Sequence, residues 1–265
     1  MLGKLIKHEF YATARMLLPL YAVLAVFTLL NRFILLSNPF NGNGIGIWKV
    51  IEGFCVAIYV FLLVAVLVIT LVLLVMRFYK NLLGDEGYLM FTLPASPSQL
   101  VHAKLLNALA VLLVSVLVIL ASLCGALLDG TTWIALKDSF WAFWHGFNQA
   151  FEGNVVAFWI QIAVVAFLSV TQTILLTYAS LSIGQLFNRH RLAASIGAYI
   201  ALTTALQILM GVMMVVVGTS SGIDWENTTE LPSFLLPTII GVQFVTTSIF
   251  YGGTRYILKN KLNLE

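Results

Sequence analysis

The chain has 265 residues, of which 60% are hydrophobic and only 9% charged, with a formal net charge of +3. A soluble domain carries about 25% charged residues and hides its apolar surface in one core, so so apolar a chain of this length needs the bilayer as its solvent. The positive charge is thinly spread, and no basic cluster interleaved with aromatics marks a nucleic-acid footprint.

Residues 1–16 open the chain with Leu2, Ile6, Phe10 and Ala14 every fourth residue, and Lys4, Lys7, His8, Tyr11 and Arg15 between them. This pattern predicts an amphipathic helix lying in the cytoplasmic interface, its basic residues reaching anionic headgroups. The alternative is a plain cytoplasmic extension of the first span. That span, 17–36, is too long for the apolar region of a signal peptide and no small-x-small site follows it, so it stays uncleaved.

Five further stretches are long enough to cross the hydrocarbon core: 54–76, 105–128, 155–187, 192–218 and 234–254. None of the six contains Asp, Glu or Lys, and Arg32 lies near the end of the first. Between the first two, Asn38-Pro39-Phe40-Asn41-Gly42-Asn43-Gly44 is a cluster of turn formers. The two cysteines, Cys55 and Cys124, fall in apolar runs near the outer leaflet of consecutive spans; a bridge is conceivable, small apolar filler the better reading.

Eleven cations lie on one side of these spans: Lys4, Lys7, Arg15, Arg77, Lys80, Lys104, Arg189, Arg191, Arg255, Lys259 and Lys261. Arg32, Lys49 and Lys137 lie on the other. The imbalance puts both termini in the cytoplasm. The expected fold is an all-α integral membrane protein with six transmembrane helices in one domain, 1–265. An outer interfacial helix is expected over 138–152, with Phe140, Trp144, Phe147 and Phe151 on one face and His145, Gln149 and Glu152 opposite.

The longest cytoplasmic loop, 77–104, reads RFYKNLLGDEGYLMFTLPASPSQLVHAK. Ser96 as N-cap, Pro97 at the first helical position and Gln99 at the capping-box position start the third span's helix well before the membrane. Upstream, 85–93 can form a short helix with Asp85 and Glu86 near its N-terminus, stopped by Pro94. Its Tyr88, Leu89, Phe91 and Leu93 read as a docking surface or as packing against the protein's own helix ends.

The run Gly84-Asp85-Glu86-Gly87-Tyr88-Leu89, Phe91-Thr92-Leu93-Pro94 and Ser96, followed by Lys104-Leu105-Leu106, resembles permease subunits of type-2 ATP-binding-cassette exporters. The opening Met1-Leu2-Gly3-Lys4-Leu5, Lys7 and Glu9-Phe10 is similar to that family's amphipathic first helix. Within the family, the size and small outer loops look most like bacterial exporters of bacitracin, lantibiotics and phenol-soluble-modulin peptides. The resemblance implies a coupling helix in this loop, with Asp85, Glu86, Gly87, Tyr88, Phe91, Thr92 and Leu93 meeting a separate cytoplasmic ATPase subunit. It also implies a second permease copy or paralogue, a bacterial cytoplasmic membrane, and ATP and Mg held by the partner, since this chain has no G-x-x-x-x-G-K-[ST].

Polar side chains within the spans either join helices or line a route. Gln161 and Gln172 share a face of the fourth span, Thr203, Gln207 and Gly211 form a stripe on the fifth, and Gln243, Thr246 and Thr247 cluster on the sixth. Interhelical bonding is the first expectation; a substrate path through Gln161, Gln172, Thr203, Gln207 and Gln243 would suit an amphipathic cargo. An enzyme is not expected: Gly218-Thr219-Ser220-Ser221-Gly222 matches G-x-S-x-G but ends a membrane helix, and no histidine follows His190. The competing classes are an ion-coupled carrier or channel and a non-transporting membrane scaffold.

Overall fold

The computed structural model describes residues 2–37, 47–83, 96–127, 130–150, 155–187, 190–220 and 231–260. Among these there are seven α-helices and no strand: α1 (Leu2–Ser37), α2 (Ile47–Phe78), α3 (Pro97–Leu127), α4 (Gly130–Ala150), α5 (Val155–Gly184), α6 (Arg191–Ser220) and α7 (Leu231–Asn260). A single π-helical turn, Tyr79–Leu83, continues α2. All but α4 are long and apolar enough to cross a membrane, because in hydrocarbon a helix is the way an open chain satisfies its own backbone polar groups.

No break separates the first sixteen residues from the first span. The 36 residues of α1 run about 54 Å at helical rise, against a hydrocarbon core of about 30 Å. Residues 2–16 therefore continue the helix of the first span. The reason lies in packing: Glu9, Thr13 and Leu17 are buried, and they stand one position off the Leu2–Ile6–Phe10 register read from the sequence.

By contacts the chain divides into two compact units. The first comprises Met1–Met76 and Leu106–Trp141, the second Arg77–Leu105 and Ala142–Glu265. In the first, Leu24, Tyr59, Val66 and Ala126 form an apolar centre, and α3 bonds to both companions through hydroxyls. Asn107 donates to Thr13 Oγ1 (3.3 Å), Tyr21 meets Ser115 (2.7 Å) and Thr28 meets Ser122 (2.6 Å). Each pair is separated by 94 residues, which a pair of parallel helices in constant register produces. From α2, Thr70 reaches Ser115 (3.1 Å) and Tyr59 reaches Ser122 (2.8 Å), in the reversed order of an antiparallel neighbour.

Cys55 and Cys124, in the same unit, are free thiols. In the second unit α5 packs against both α6 and α7. Helix α4 starts at Gly130, earlier than the expected 138. The Trp144 ring stacks on Trp159 (6.2 Å), and Phe147 lies against Phe158 (5.2 Å) and Trp159 (5.7 Å). Half of the expected headgroup face is thus packed against the start of α5, while Phe140 and Phe143 stay exposed.

Candidate functional site

Helices α5 and α7 are joined by two reciprocal bonds at mid-helix. Gln172 Nε2 donates to Thr246 Oγ1 (2.9 Å), and Gln243 Nε2 donates to Ser169 Oγ (2.8 Å). Both pairs are 74 residues apart, the signature of parallel helices again. Thr246 passes its own proton to the Val242 carbonyl (2.8 Å), leaving its oxygen to accept from Gln172. These glutamines first serve the joining role that polar residues commonly have in membranes.

The pairing leaves polar capacity over. Among the described residues, the Gln243 Oε1 atom has no hydrogen-bond partner although the residue is 6% exposed. Gln172 also lines an open cavity of about 320 Å³ bordered by α5 and α6. Ser169, Gln172 and Thr173 line it from α5, and Tyr199, Thr203 and Gln207 from α6, with Leu176, Leu206 and Met210 completing the wall. Thr203 gives its proton to the Tyr199 carbonyl (2.7 Å), so its oxygen is left as an acceptor. Among the described residues, no Asp, Glu, Lys, Arg or His lines the space.

Three residues of the expected path, Gln172, Thr203 and Gln207, therefore meet in one cavity. Gln243 stands one hydrogen bond behind it, through Ser169. Gln161 shares the α5 face but does not line this cavity. Ser169, Thr173 and Tyr199 were missed; Gln172 and Thr173 stand three and four residues after Ser169, the neighbouring positions of one helical face. A second cavity, about 200 Å³ and almost wholly apolar, lies between α6 and α7.

The expected coupling residues Asp85, Glu86, Gly87, Tyr88, Phe91, Thr92 and Leu93 lie outside the described residues, but the segments on either side are described. The capping box forms as its sequence predicts. Gln99 N–H donates to Ser96 Oγ (3.4 Å) and to the Ser96 carbonyl (2.9 Å), while Ser96 N–H donates back to Gln99 Oε1 (3.2 Å). Before the segment, Leu82 and Leu83 are buried; after it, Leu100, Val101 and Ala103 are.

Both arms of the loop are held by the helices that carry the polar cluster. Phe78 stacks on Tyr178 of α5 with centroids 3.8 Å apart and planes 8° from parallel. Tyr178 donates to the Lys104 carbonyl at 3.4 Å. His102 Nδ1 donates to the Ser98 carbonyl (2.8 Å), which can only accept, and the Tyr251 hydroxyl of α7 lies 3.2 Å from the same nitrogen.

Among the described residues, no group of three His, Cys, Asp or Glu could hold a metal ion. Ser220 of the G-x-S-x-G match bonds the Val217 carbonyl of its own helix (3.3 Å). The fold and these sites define an all-helical, multi-pass type of membrane protein with an uncharged polar cluster at mid-span. No protein-family model, curated protein or solved structure matches the chain.

Proposed function

We propose that this chain is the membrane-spanning subunit of an ATP-driven exporter, moving an uncharged or weakly charged amphipathic cargo out of a bacterial cell. One observation carries the reading. The two arms of the 84–95 segment are gripped by α5 and α7 through Phe78–Tyr178 and His102–Tyr251, and those two helices hold the polar cluster of Ser169, Gln172, Gln243 and Thr246. A partner that displaced the segment would load the α5–α7 pair, about 9 Å of helix axis from Tyr178 to Gln172 at helical rise.

The loop resemblance names that partner as a cytoplasmic ATPase, and the chain's lack of a phosphate-cradling loop gives the partner its task. An ion-coupled carrier would want a charged or imidazole group at the centre of its path; among the described residues, none lines the cavity between α5 and α6. Glu9, buried within the structural extent of the first span, is the residue on which that second reading would depend.

The test is co-purification of the chain with the products of its neighbouring genes. The expected result is a stable ATPase complex that Tyr88→Ala and Phe91→Ala each weaken by at least about tenfold, the cost of removing an aromatic anchor from an interface. Purification without any ATPase, together with uptake driven by an ion gradient and lost in Glu9→Gln, would overturn the exporter reading in favour of the carrier.

A further inference from the structure

The two cavities of the second unit are not independent. On α6, Tyr199, Thr203, Leu206, Met210, Met213 and Val217 follow one another at alternating steps of four and three residues, so they form one straight stripe along the helix. Its first half faces the polar cavity, its second half the apolar one, and Met210 lines both. The apolar half is closed on α7 by Leu235, Ile239 and Val242.

We propose that this stripe binds a single-tailed amphipath lengthwise, its uncharged hydrogen-bonding head among Gln172, Thr203 and Gln207 and its hydrocarbon tail against Met213, Met214 and Val217. As a cargo site it deepens the exporter reading and rests on it. Three features of the groove select this ligand. The head must hydrogen-bond, because Gln207 is an exposed amide at the middle of a spanning helix, and an alkyl chain laid over it would leave both its donor and its acceptor without partners. The head must be uncharged, because among the described residues neither cavity is lined by a carboxylate, a cation or an imidazole, and an unpaired charge at this depth is costly.

The tail must be single and flexible. From Thr203 to Val217 the stripe covers about 21 Å of helix axis, and one leaflet of the hydrocarbon core is about 15 Å deep. That length accommodates one acyl chain and a small head. Met210 stands where head and tail join; its unbranched thioether can swing without a large rotamer penalty and open the passage between the two spaces.

The experiment uses the full chain in lipid nanodiscs without ATP or ATPase. It compares two photoreactive probes carrying the same diazirine-bearing tail, one on a monoacylglycerol head and one on a lysophosphatidylglycerol head, with labelled peptides mapped by mass spectrometry. The monoacylglycerol probe is expected to label α6 and α7 around Met213, Met214 and Ile239, and the anionic probe at least about fivefold less. Gln207→Leu and Met210→Trp should each cut that labelling by at least about fivefold, the scale set by one lost hydrogen bond or a blocked cavity.

Should Met210→Trp lower the melting temperature, Gln207→Leu, at an exposed position, decides alone. Equal labelling by both heads marks ordinary boundary lipid and overturns the proposal. So does labelling that ignores Gln207→Leu, or a groove left unlabelled because a second copy covers it. A chain that binds the probe but never acquires an ATPase would refute the exporter and leave the site standing; a chain that acquires one but does not bind the probe would do the reverse.

Discussion

Ser122 holds two neighbours at once, and the protons can be assigned. Thr28 gives its hydroxyl proton to the Leu24 carbonyl (2.8 Å), so Ser122 donates to Thr28 (2.6 Å) and Tyr59 donates to Ser122 (2.8 Å). Tyr59 is 5% exposed within the apolar centre of its unit, and without Ser122 its hydroxyl keeps no acceptor there. Ser122→Ala is expected to destabilise the protein by about 1 kcal/mol, within the measured range for side-chain bonds between membrane helices. Adding Tyr59→Phe should recover most of the loss, because the orphaned hydroxyl goes with it. Reversible unfolding in mixed micelles measures both, and an unchanged stability for Ser122→Ala would show that the polar ladder of this unit is incidental. The ladder was legible in outline: Thr13, Tyr21 and Thr28 are spaced by eight and seven residues, and so are Asn107, Ser115 and Ser122. Serine and threonine pass for filler in an apolar run, however, and only the match between two helices gives them meaning. The glutamines stood out because an amide in hydrocarbon is costly wherever it points.

Helix starts with local chemistry were readable, and those decided by packing were not. The Ser96–Gln99 box needs four consecutive residues to form its bonds, so sequence alone places it. The continuity of α1 depends on burying Glu9, Thr13 and Leu17, a property of their neighbours that no local pattern carries. The Trp144 and Phe147 rings likewise suit a headgroup boundary and a ring partner equally well, and their contact with Trp159 is a pairing no local pattern carries. Another such feature is the close approach of the end of α5 to the start of α6. A Cβ at Gly184 would lie 2.7 Å from the Ser195 nitrogen and 2.8 Å from the Arg191 carbonyl oxygen, and would collide with Ser195 Oγ. Backbone cannot yield as a side chain does, so Gly184→Ala should cost about 1–3 kcal/mol, the usual range for overpacking. Gly197→Ala is the control: a Cβ there meets nothing within 4 Å, and the gain in helix propensity should leave stability unchanged or slightly higher. Thermal melting of the two variants in detergent decides, and equal melting temperatures would refute the close contact.

Hydropathy alone reveals the six spans, but not the allocation of the chain to two compact units. Arg77–Leu105 is continuous with α2 and α3, yet it clusters with Ala142–Glu265. The cause is a set of side chains whose partners lie 74 to 149 residues away, Lys104 with Tyr178 and His102 with Tyr251, separations that no periodicity encodes. The allocation has a mechanical consequence. If the 84–95 segment is where an ATPase pulls, the Phe78–Tyr178 stack is a direct link from that segment to the helix bearing Ser169, Gln172 and Thr173. Phe78→Leu keeps the apolar volume and removes the ring pairing, worth about 0.5–1.5 kcal/mol beyond its burial. In the complex with the ATPase, binding of the partner should stay within about twofold, because the substituted residue lies outside the docking segment. Stimulation of ATP hydrolysis by cargo should fall by at least about fivefold, the lower end of ordinary coupling between distant sites. Loss of binding and stimulation together would mean that the stack merely shapes the docking surface. Full stimulation with the stack removed would mean that force reaches the α5–α7 pair by another route, through His102 and Tyr251, and the same measurement on Tyr251→Phe would then locate it.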